Sequence, residues 1–517
     1  MRKFNLMILL VVTALLAGFA SCSDDKISGD EQDKDAVMAD MQVRISVANG
    51  DLTRAANDEI GDGNETGIPD EYLVNKATLY FFESNLLAMA PMEFTGFQKE
   101  AAVTDNKVVW VSQNRKMEEG TYEVVIIVNG AAAVPPAIGT TTLADFLKDV
   151  KSGATTWLAS ASSGLLMASR DASNAYVSGV TVTTANTPAN PALVAAEVER
   201  TVAKIMLADG QTTPNNYSYS VAGQFVRNTS TAATVSIALS DYRMLNLRNE
   251  FFTFRHATTG FTPVNPGETV DPVTYTFGNL AGTTSYIMDP RTYQKNTSMP
   301  VAVGGVTYTD WYVNNGFSAV GDAAEHILGY CQENTMEKAA QKKGYGTAIV
   351  FKGKITVDGV TIASGDNLYY DRTNKVFYGS YTDLKAGVSG LDATVNYTQL
   401  AANNIDTYKD GYCTYVYYIK HADNSAANDM GIMEYAMVRN NVYKVAVTGI
   451  DAPGKGLVPN PLDPSNPLDP ANPTNPTDKD PSVDPAEDIE TEDISIALKV
   501  KLTIKPWIIR NNNVILK

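Results

Sequence analysis

From Ile494 to Lys505 the chain alternates without a miss. Ile494, Ile496, Leu498, Val500, Leu502 and Ile504 fall on one side, and Ser495, Ala497, Lys499, Lys501, Thr503 and Lys505 on the other. Successive side chains of a strand point to opposite faces, so this pattern predicts a long β-strand with one face buried. Nothing next to it in sequence can serve as a hairpin partner. A Pro/Asp/Asn-rich stretch precedes it, and Pro506-Trp507-Ile508-Ile509 and Asn512-Asn513-Val514-Ile515-Leu516-Lys517 follow. Burying six such side chains is worth about 9–18 kcal/mol gross, an upper bound before ordering costs. Left exposed, the same strand would template aggregation. It must dock, either into its own domain or into a neighbour.

A second strand of this kind lies near the other end. Met41, Val43, Ile45 and Val47 alternate with Gln42, Arg44 and Ser46, and the run stops at Asn49-Gly50-Asp51. Leu52-Thr53-Arg54-Ala55-Ala56 then opens a Gly/Asp/Asn-rich stretch to about Asp70. An arginine among small residues in a flexible loop is a good substrate for a trypsin-like protease, although an ordinary loop arginine looks the same. Ahead of this strand, Met1–Cys22 has the three parts of an export signal: basic Arg2 and Lys3, apolar Leu6–Phe19, and small residues Ala20-Ser21 before Cys22. Small residues directly before a cysteine mark a bacterial lipoprotein signal, in which Cys22 becomes the acylated first residue; a plain secretory signal is the alternative. Ser23-Asp24-Asp25 resembles the acidic tether of surface-exposed lipoproteins in Bacteroidetes-type bacteria. Several acyl chains together would anchor the precursor firmly, at about 0.8 kcal/mol per buried CH₂.

Between these ends, 517 residues allow two or three domains with ample core. Strand-like runs recur at Ala77–Phe82, Lys107–Val111, Tyr122–Asn129, Tyr219–Phe225, Ala233–Leu239, Ala348–Val357, Thr414–Ile419 and Asn441–Thr448. Helices are expected at Thr142–Val150, at about Ala323–Cys331 and near Met336–Lys343, while Ala195–Leu207 reads as either a helix or a long strand. Short-spaced strands with few helices indicate all-β sandwich domains. Residues 451–485 hold ten of the 23 prolines, in Asp-Pro, Asn-Pro and Leu-Asp-Pro repeats. Without core-forming residues, such a segment is expected to be a semi-rigid spacer reaching about 100 Å.

The charge balance of 58 acidic against 41 basic residues, net −17, argues against a phosphate-tracking nucleic-acid binder. Three cysteines exclude a disulfide-dense scaffold and any multi-cysteine zinc or iron–sulfur site, and three histidines (His256, His326, His421) leave little for imidazole catalysis. Gly387-Val388-Ser389-Gly390 lacks the spacing of a nucleophile elbow, and Asp58–Glu65 misses the positions of a calcium loop. Tyr415, Tyr417 and Tyr418 could stack on sugars, but half-buried sheet tyrosines are the simpler reading. Cys331 and Cys413 could pair in an exported protein, with single buried thiols the simpler reading. No catalytic residue, cofactor or metal is expected.

Several motifs in order resemble one family. Val198-Glu199-Arg200-Thr201-Val202-Ala203-Lys204 is similar to a V-E-R-x-x-A-K segment, Glu333-Asn334-Thr335 to an E-N-T motif, and Val438-Arg439-Asn440-Asn441-Val442-Tyr443 to V-R-N-N-x-Y; Pro506-Trp507 matches a terminal P-W. Together with Cys22, the removable first strand and the tethered last strand, they resemble the fimbrillins, shaft subunits of Bacteroidales fimbriae (FimA-like and Mfa-like proteins), and most of all the Mfa-type major subunit of Porphyromonas. The resemblance implies two transthyretin-like β-sandwich domains, here 55–208 and 209–450. A signal peptide (1–22) and a propeptide (23–54) would come before them, a spacer (451–490) and a donor-strand region (491–517) after. It also implies that an Arg-specific protease cuts between Arg54 and Ala55, so that the strand bearing Met41, Val43, Ile45 and Val47 leaves. The groove would then receive Ile494, Ile496, Leu498, Val500, Leu502 and Ile504 of the next copy, forming a head-to-tail filament. Implied partners are further copies of the chain, accessory anchor and tip subunits, the protease, and the outer membrane through the lipid before release to a cell-surface fimbrium for adhesion and biofilm formation. A tip or anchor subunit, or a surface glycan-binding lipoprotein, is the alternative.

Overall fold

The computed structural model describes residues 37–47, 65–100, 108–153, 163–170, 175–213, 216–227, 230–231, 234–259, 285–292, 295, 302–303, 306–307, 312–336, 340–358, 360, 362–421, 433–474, 480–489 and 497–508. It is all-β with a few short helices, in two sandwich-like bodies.

The first body uses β1 (Met38–Val47), β2 (Lys76–Glu83), β3 (Val109–Val111), β4 (Arg115–Glu118), β5 (Gly120–Val128), β6 (Met167–Arg170), β7 (Val177–Val182) and β8 (Ala192–Arg200). Their order in the sheet is β2-β5-β6-β8-β1-β3, with β7 on β5 and β4 on β1. Leu79, Phe81, Val124 and Ile126, from one end of this path, share a core with Val43, Ile45, Val194 and Val198 from the other, so the sheet folds over onto itself. A second apolar layer on its outer face is capped by α1 (Leu143–Phe146), whose Thr142 hydroxyl accepts from Asp145 N. The helix expected to run on to Val150 stops after about one turn, because Val150 is taken into a pairing with Phe252.

The second body is built on β9 (Ala203–Asp209), β10 (Val235–Leu245), β11 (Glu325–Cys331), β12 (Ala348–Val357), β13 (Tyr412–Tyr418), β14 (Asn441–Ile450) and β15 (Leu498–Ile508). One sheet runs β15-β14-β9-β11 and another contains β10-β12-β13. They meet through Ile205, Leu207, Tyr443 and Val445 on one side and Ile237, Ile349, Phe351 and Tyr415 on the other. The ambiguous 195–207 segment is neither one helix nor one strand. β8 and β9 lie on either side of Thr201-Val202, and the chain passes there from the first sheet into the second.

Three further expectations are corrected. The helix at Ala323–Cys331 is strand β11, because its pairing with β9 outweighs local helical preference; Ile327 and Tyr330 pack as strand residues. Near Met336–Lys343 the described residues form turns and a bridge from Lys342 to Asp488, with 337–339 outside the described residues. Nor does the Pro/Asp/Asn segment project as a free spacer. Lys455 pairs in both directions with Thr414 on β13, Leu457 N donates to Thr407 O, and Val458 pairs with Leu468. Gly454 and Gly456 allow this approach, since a Cβ at either would strike the carbonyl of Thr414 or Thr407. Further along, Asp480 makes a buried 2.7 Å ion pair with Arg243, and Ile489 fills a cluster with Leu245, Val350 and Tyr418. A few apolar and acidic residues among the prolines supply the anchors that composition concealed.

Candidate functional site

β1 is an interior strand. Met41 to Val47 run parallel to Ala192–Val198 of β8, while Arg44–Ser46 pair with β3 and Met38–Met41 with β4 on the opposite edge. Met41, Val43, Ile45 and Val47 are each 0% exposed. The other face is polar: Arg44 reaches Glu100 at 2.6 Å, Gln42 donates to Ser112 O, and Ser46 donates to Ala196 O. Ser112 also fixes the register, its hydroxyl accepting from Val43 N and its own N–H donating to Val43 O. Four large apolar side chains of one strand therefore fill the middle of the first core, worth about 6–12 kcal/mol gross. Cys22, Arg54 and Ala55 lie outside the described residues.

The alternating C-terminal strand docks on its own second body. β15 runs antiparallel to β14 from Leu498 opposite Ile450 to Pro506 opposite Asn441, with a bulge between Val447 and Gly449. Leu498 is buried in the second core, and Val500 and Leu502 are half-buried against it. Ile504 pairs with Tyr443, and Trp507-Ile508 lie parallel to Glu65-Thr66. Ile494 and Ile496 are outside the described residues. Of the two candidate exchange strands, then, β1 is fully enclosed, while among the described residues β15 has one long neighbour and the two-residue Glu65–Thr66 on its other side.

The short motifs converge where the two bodies meet. Glu71, fully buried in the turn Pro69–Tyr72, receives Lys204 Nζ at 2.9 Å and the Tyr330 hydroxyl at 2.7 Å. Arg200 donates through Nε to Glu71 O and through Nη1 to Asn440 Oδ1, both at 2.9 Å, and Asn440 N donates to Val202 O. Arg439 makes a two-pronged pair with Glu333 at 2.7 and 2.8 Å and also donates to Phe252 O. Burial pulls Arg200 down to about 10, with Glu71 opposing, and pushes the Tyr330 hydroxyl up, with Glu71 adding to the rise. Burial likewise raises the Glu333 carboxyl, against the pull of Arg439. Buried charges of this kind persist only when paired on several sides. The V-E-R-x-x-A-K and V-R-N-N-x-Y runs are thus the two halves of one interdomain lock, and Glu333 of the E-N-T run pairs with it. Glu71, in a stretch with no motif, escaped sequence reasoning; Pro69 at the start of a turn was its only signal.

Cys331 and Cys413 are free and buried, and burial raises both thiols. Tyr415 and Tyr418 are buried and Tyr417 half-buried in β13, as sheet residues. Among the described residues, no helix is long and apolar enough to cross a membrane, and no cluster of three or more His, Cys, Asp or Glu is arranged to hold a metal ion.

Comparison with known proteins finds no match among curated sequences. Among solved structures, the chain is similar to the fimbrilin FimA from Porphyromonas gingivalis W83, at TM-score 0.38 and 13% identity over 92% of this chain and 99% of that one. It is similar too to a chain named for cell adhesion from Parabacteroides distasonis ATCC 8503 (TM-score 0.38, 13% identity, 91% and 100% covered). The tip fimbrial protein Mfa3 from P. gingivalis gives TM-score 0.35 and 11% identity over 90% and 100%. Residues 406–513 match the family described as major fimbrial subunit protein type IV, fimbrillin, C-terminal, a span that takes in β13, β14, the proline-rich segment and β15.

Proposed function

We propose that this chain is a structural subunit of a cell-surface fimbrium, and specifically a shaft subunit of the Mfa type. In this reading it is exported as a lipoprotein acylated at Cys22, carried to the outer membrane, and cut after Arg54 by an Arg-specific protease. It then polymerises head-to-tail: β1 leaves, and the strand from Ile494 to Ile504 of the next copy takes its place. The two bodies, joined at Thr201-Val202 rather than at the expected 208/209 boundary, form the repeating unit, and adhesion and biofilm support follow from the filament. Anchor and tip subunits would terminate it.

The supporting observation is β1 itself. Its apolar side chains fill the centre of the first core, yet it belongs to the segment that a cut at Arg54 would detach. A strand held so fully would be a poor choice for removal unless another strand of the same pattern replaced it. The C-terminal strand has that pattern, and the pleat fixes which face turns inward, because a one-residue slip would drive Lys499 and Lys501 into the core. The fimbrillin C-terminal match at 406–513 points to the same class of protein.

The test is limited cleavage of the purified precursor with a trypsin-like protease, followed by electrophoresis without heating. Cleavage after Arg54 should convert monomer to heat-sensitive ladders, and removing residues 491–517 should abolish them. An Arg54→Ala chain that polymerises as well as the parent would refute the cleavage step. A tip subunit would accept a donor strand without forming ladders on its own.

A further inference from the structure

We propose that, in the folded chain, Lys295 and Asn334 become joined by an amide bond between the lysine Nζ and the asparagine Cγ, with loss of ammonia and with Asp289 relaying the protons. The three side chains form a closed set: Lys295 Nζ lies 2.8 Å from Asn334 Oδ1, 2.6 Å from Asp289 Oδ2 and 2.8 Å from Thr335 O. All are essentially inaccessible to solvent: Asn334 and its neighbour Thr335 are 0% exposed, Asp289 1% and Lys295 2%.

Each partner is held in place beside the other. The backbone of Asn334 is clamped to Met437 in both directions, at 3.0 and 2.8 Å. Its Nδ2 donates to Tyr345 O at 2.7 Å and to Thr347 Oγ1 at 3.0 Å, which fixes the amide orientation and turns the carbonyl toward the lysine. Asp289 is itself pinned: Oδ2 accepts from Thr335 N at 2.7 Å, Oδ1 accepts from Arg291 N at 2.7 Å, and Oδ1 lies 3.4 Å from Arg248 Nη2. Arg248 is fully buried over the Tyr312 ring.

Arg248 also faces the Asp289 carboxylate, at 3.4 Å against 2.6 Å for Lys295, so the lysine is not the sole cation at this carboxylate. Burial pulls Lys295 down to about 7, Asp289 opposing and Arg248 reinforcing the drop. Burial pushes Asp289 up, but Lys295 and Arg248 more than offset this and hold it below the ordinary range, so it stays an ionised proton acceptor.

The step balances without any other reagent. The Nζ lone pair attacks Cγ and forms the C–N bond; Asp289 takes the Nζ proton and delivers it to Nδ2; the Cγ–Nδ2 bond then breaks and ammonia departs. An amine and a primary amide thus give a secondary amide and ammonia, with no change of oxidation state. Fixed proximity supplies the rate enhancement that a free amine and amide lack, and exclusion of water keeps the tetrahedral adduct from hydrolysing. Asp289 is the less suitable acyl acceptor, because an ionised carboxylate is a poor electrophile. The bond would tie the turn after the strand Ser285–Met288 to the chain 39 residues later, bracing the second body. It stands whether or not the chain polymerises.

The experiment is peptide mass spectrometry of a tryptic digest of the denatured full chain. The expected result is no cleavage after Lys295, leaving Thr292–Lys338 as one looped peptide lighter than its sequence mass by one ammonia; a further Glu-specific cut after Glu325 should open it into two chains that stay joined as a branch. Asn334→Ala and Lys295→Arg should each abolish the branch, and Asn334→Asp should give loss of one water instead. Free Lys295 with both linear peptides at sequence mass overturns the proposal, as does a branch to Asp289. The decisive reading is made on the parent chain, so misfolding of a variant does not affect it.

Discussion

The reading of β1 as a replaceable core strand makes a quantitative demand on the first domain. If the chain is cut after Arg54 and the detached segment is stripped away in denaturant, the domain loses Met41, Val43, Ile45 and Val47 from full burial. Their gross contribution, about 6–12 kcal/mol, is comparable with the whole stability of a typical domain, about 5–15 kcal/mol. It also loses ladder bonds to β8 on one edge and to β3 and β4 on the other. Cleavage without stripping should change the first-domain core little, because its groove stays filled, by β1 or by the strand that replaces it. What changes is the molecularity: a strand tethered at an effective concentration on the order of millimolar becomes a separate ligand that dilution can remove. Urea titration followed by intrinsic fluorescence, on uncut, cut, and cut-and-stripped protein, distinguishes these states. Uncut and cut protein should unfold alike at high concentration, whereas the stripped protein should lack the first-domain transition. A synthetic peptide of residues 37–48 should restore that transition, and a peptide of residues 493–506 should do so by exchange. A stripped protein with an unchanged first transition would refute the reasoning, for then the strand does not fill the core.

Other outcomes follow from particular contacts. Arg439→Met leaves Glu333 buried without its two-pronged partner and should cost about 3–5 kcal/mol in urea unfolding, whereas adding Glu333→Gln should recover a substantial part. His256 is buried, stacked on Phe252 at 3.8 Å and bonded to Leu147 O, and burial pulls it down to about 3, the bond to Leu147 O opposing. Because the unfolded chain takes up this proton near 6.5 and the folded chain only near 3, its contribution to stability is complete above about pH 6.5 and falls as pH drops toward 3; His256→Phe should flatten that part of the stability–pH curve measured by thermal unfolding. Gly454→Val should lift the proline-rich segment off β13, seen as faster amide exchange at Lys455 and Thr414 with the two cores intact.

How much of this was legible in the sequence depended on whether a residue's role was set by its near neighbours or by distant chain. The alternation at Met41–Val47 and at Leu498–Leu502 needed only the pleat, and both segments are strands. The β11 segment reads as a helix in isolation because its fate is settled by β9, more than a hundred residues earlier. The proline-rich segment was judged by composition, yet its position is settled by isolated anchors, Gly454, Gly456, Asp480 and Ile489, each of which matters only through a partner elsewhere. Motif resemblance drew attention to Arg200, Lys204, Glu333 and Arg439 without saying why; the structure answers that they are buried charges paired across the junction. Lys295 and Asp289 carried no local signal at all.

The proline at the end of the last strand sharpens the exchange argument. β1 presents its inward set at Ala39, Met41, Val43, Ile45 and Val47, five positions, whereas the terminal strand offers six from Ile494 to Ile504. Odd slips are excluded because they bury lysines, but a two-residue slip keeps every apolar residue inward, so the pleat alone leaves more than one register open. Pro506 has no N–H to give to a ladder, so it belongs at the end of a paired run or at an edge. In the chain's own second body it stands opposite Asn441, at the end of the pairing with β14. In a receiving groove lined on both sides, the same proline would stop the strand from sliding further and select the register that ends at Ile504. Pro506→Ala should therefore leave the alternation intact while loosening register. Cross-linking of cysteines placed at Thr503 and at successive positions of β8 in assembled filaments would detect this as a spread over alternate residues. A single cross-linked position in both proline and alanine chains would mean that register is set elsewhere.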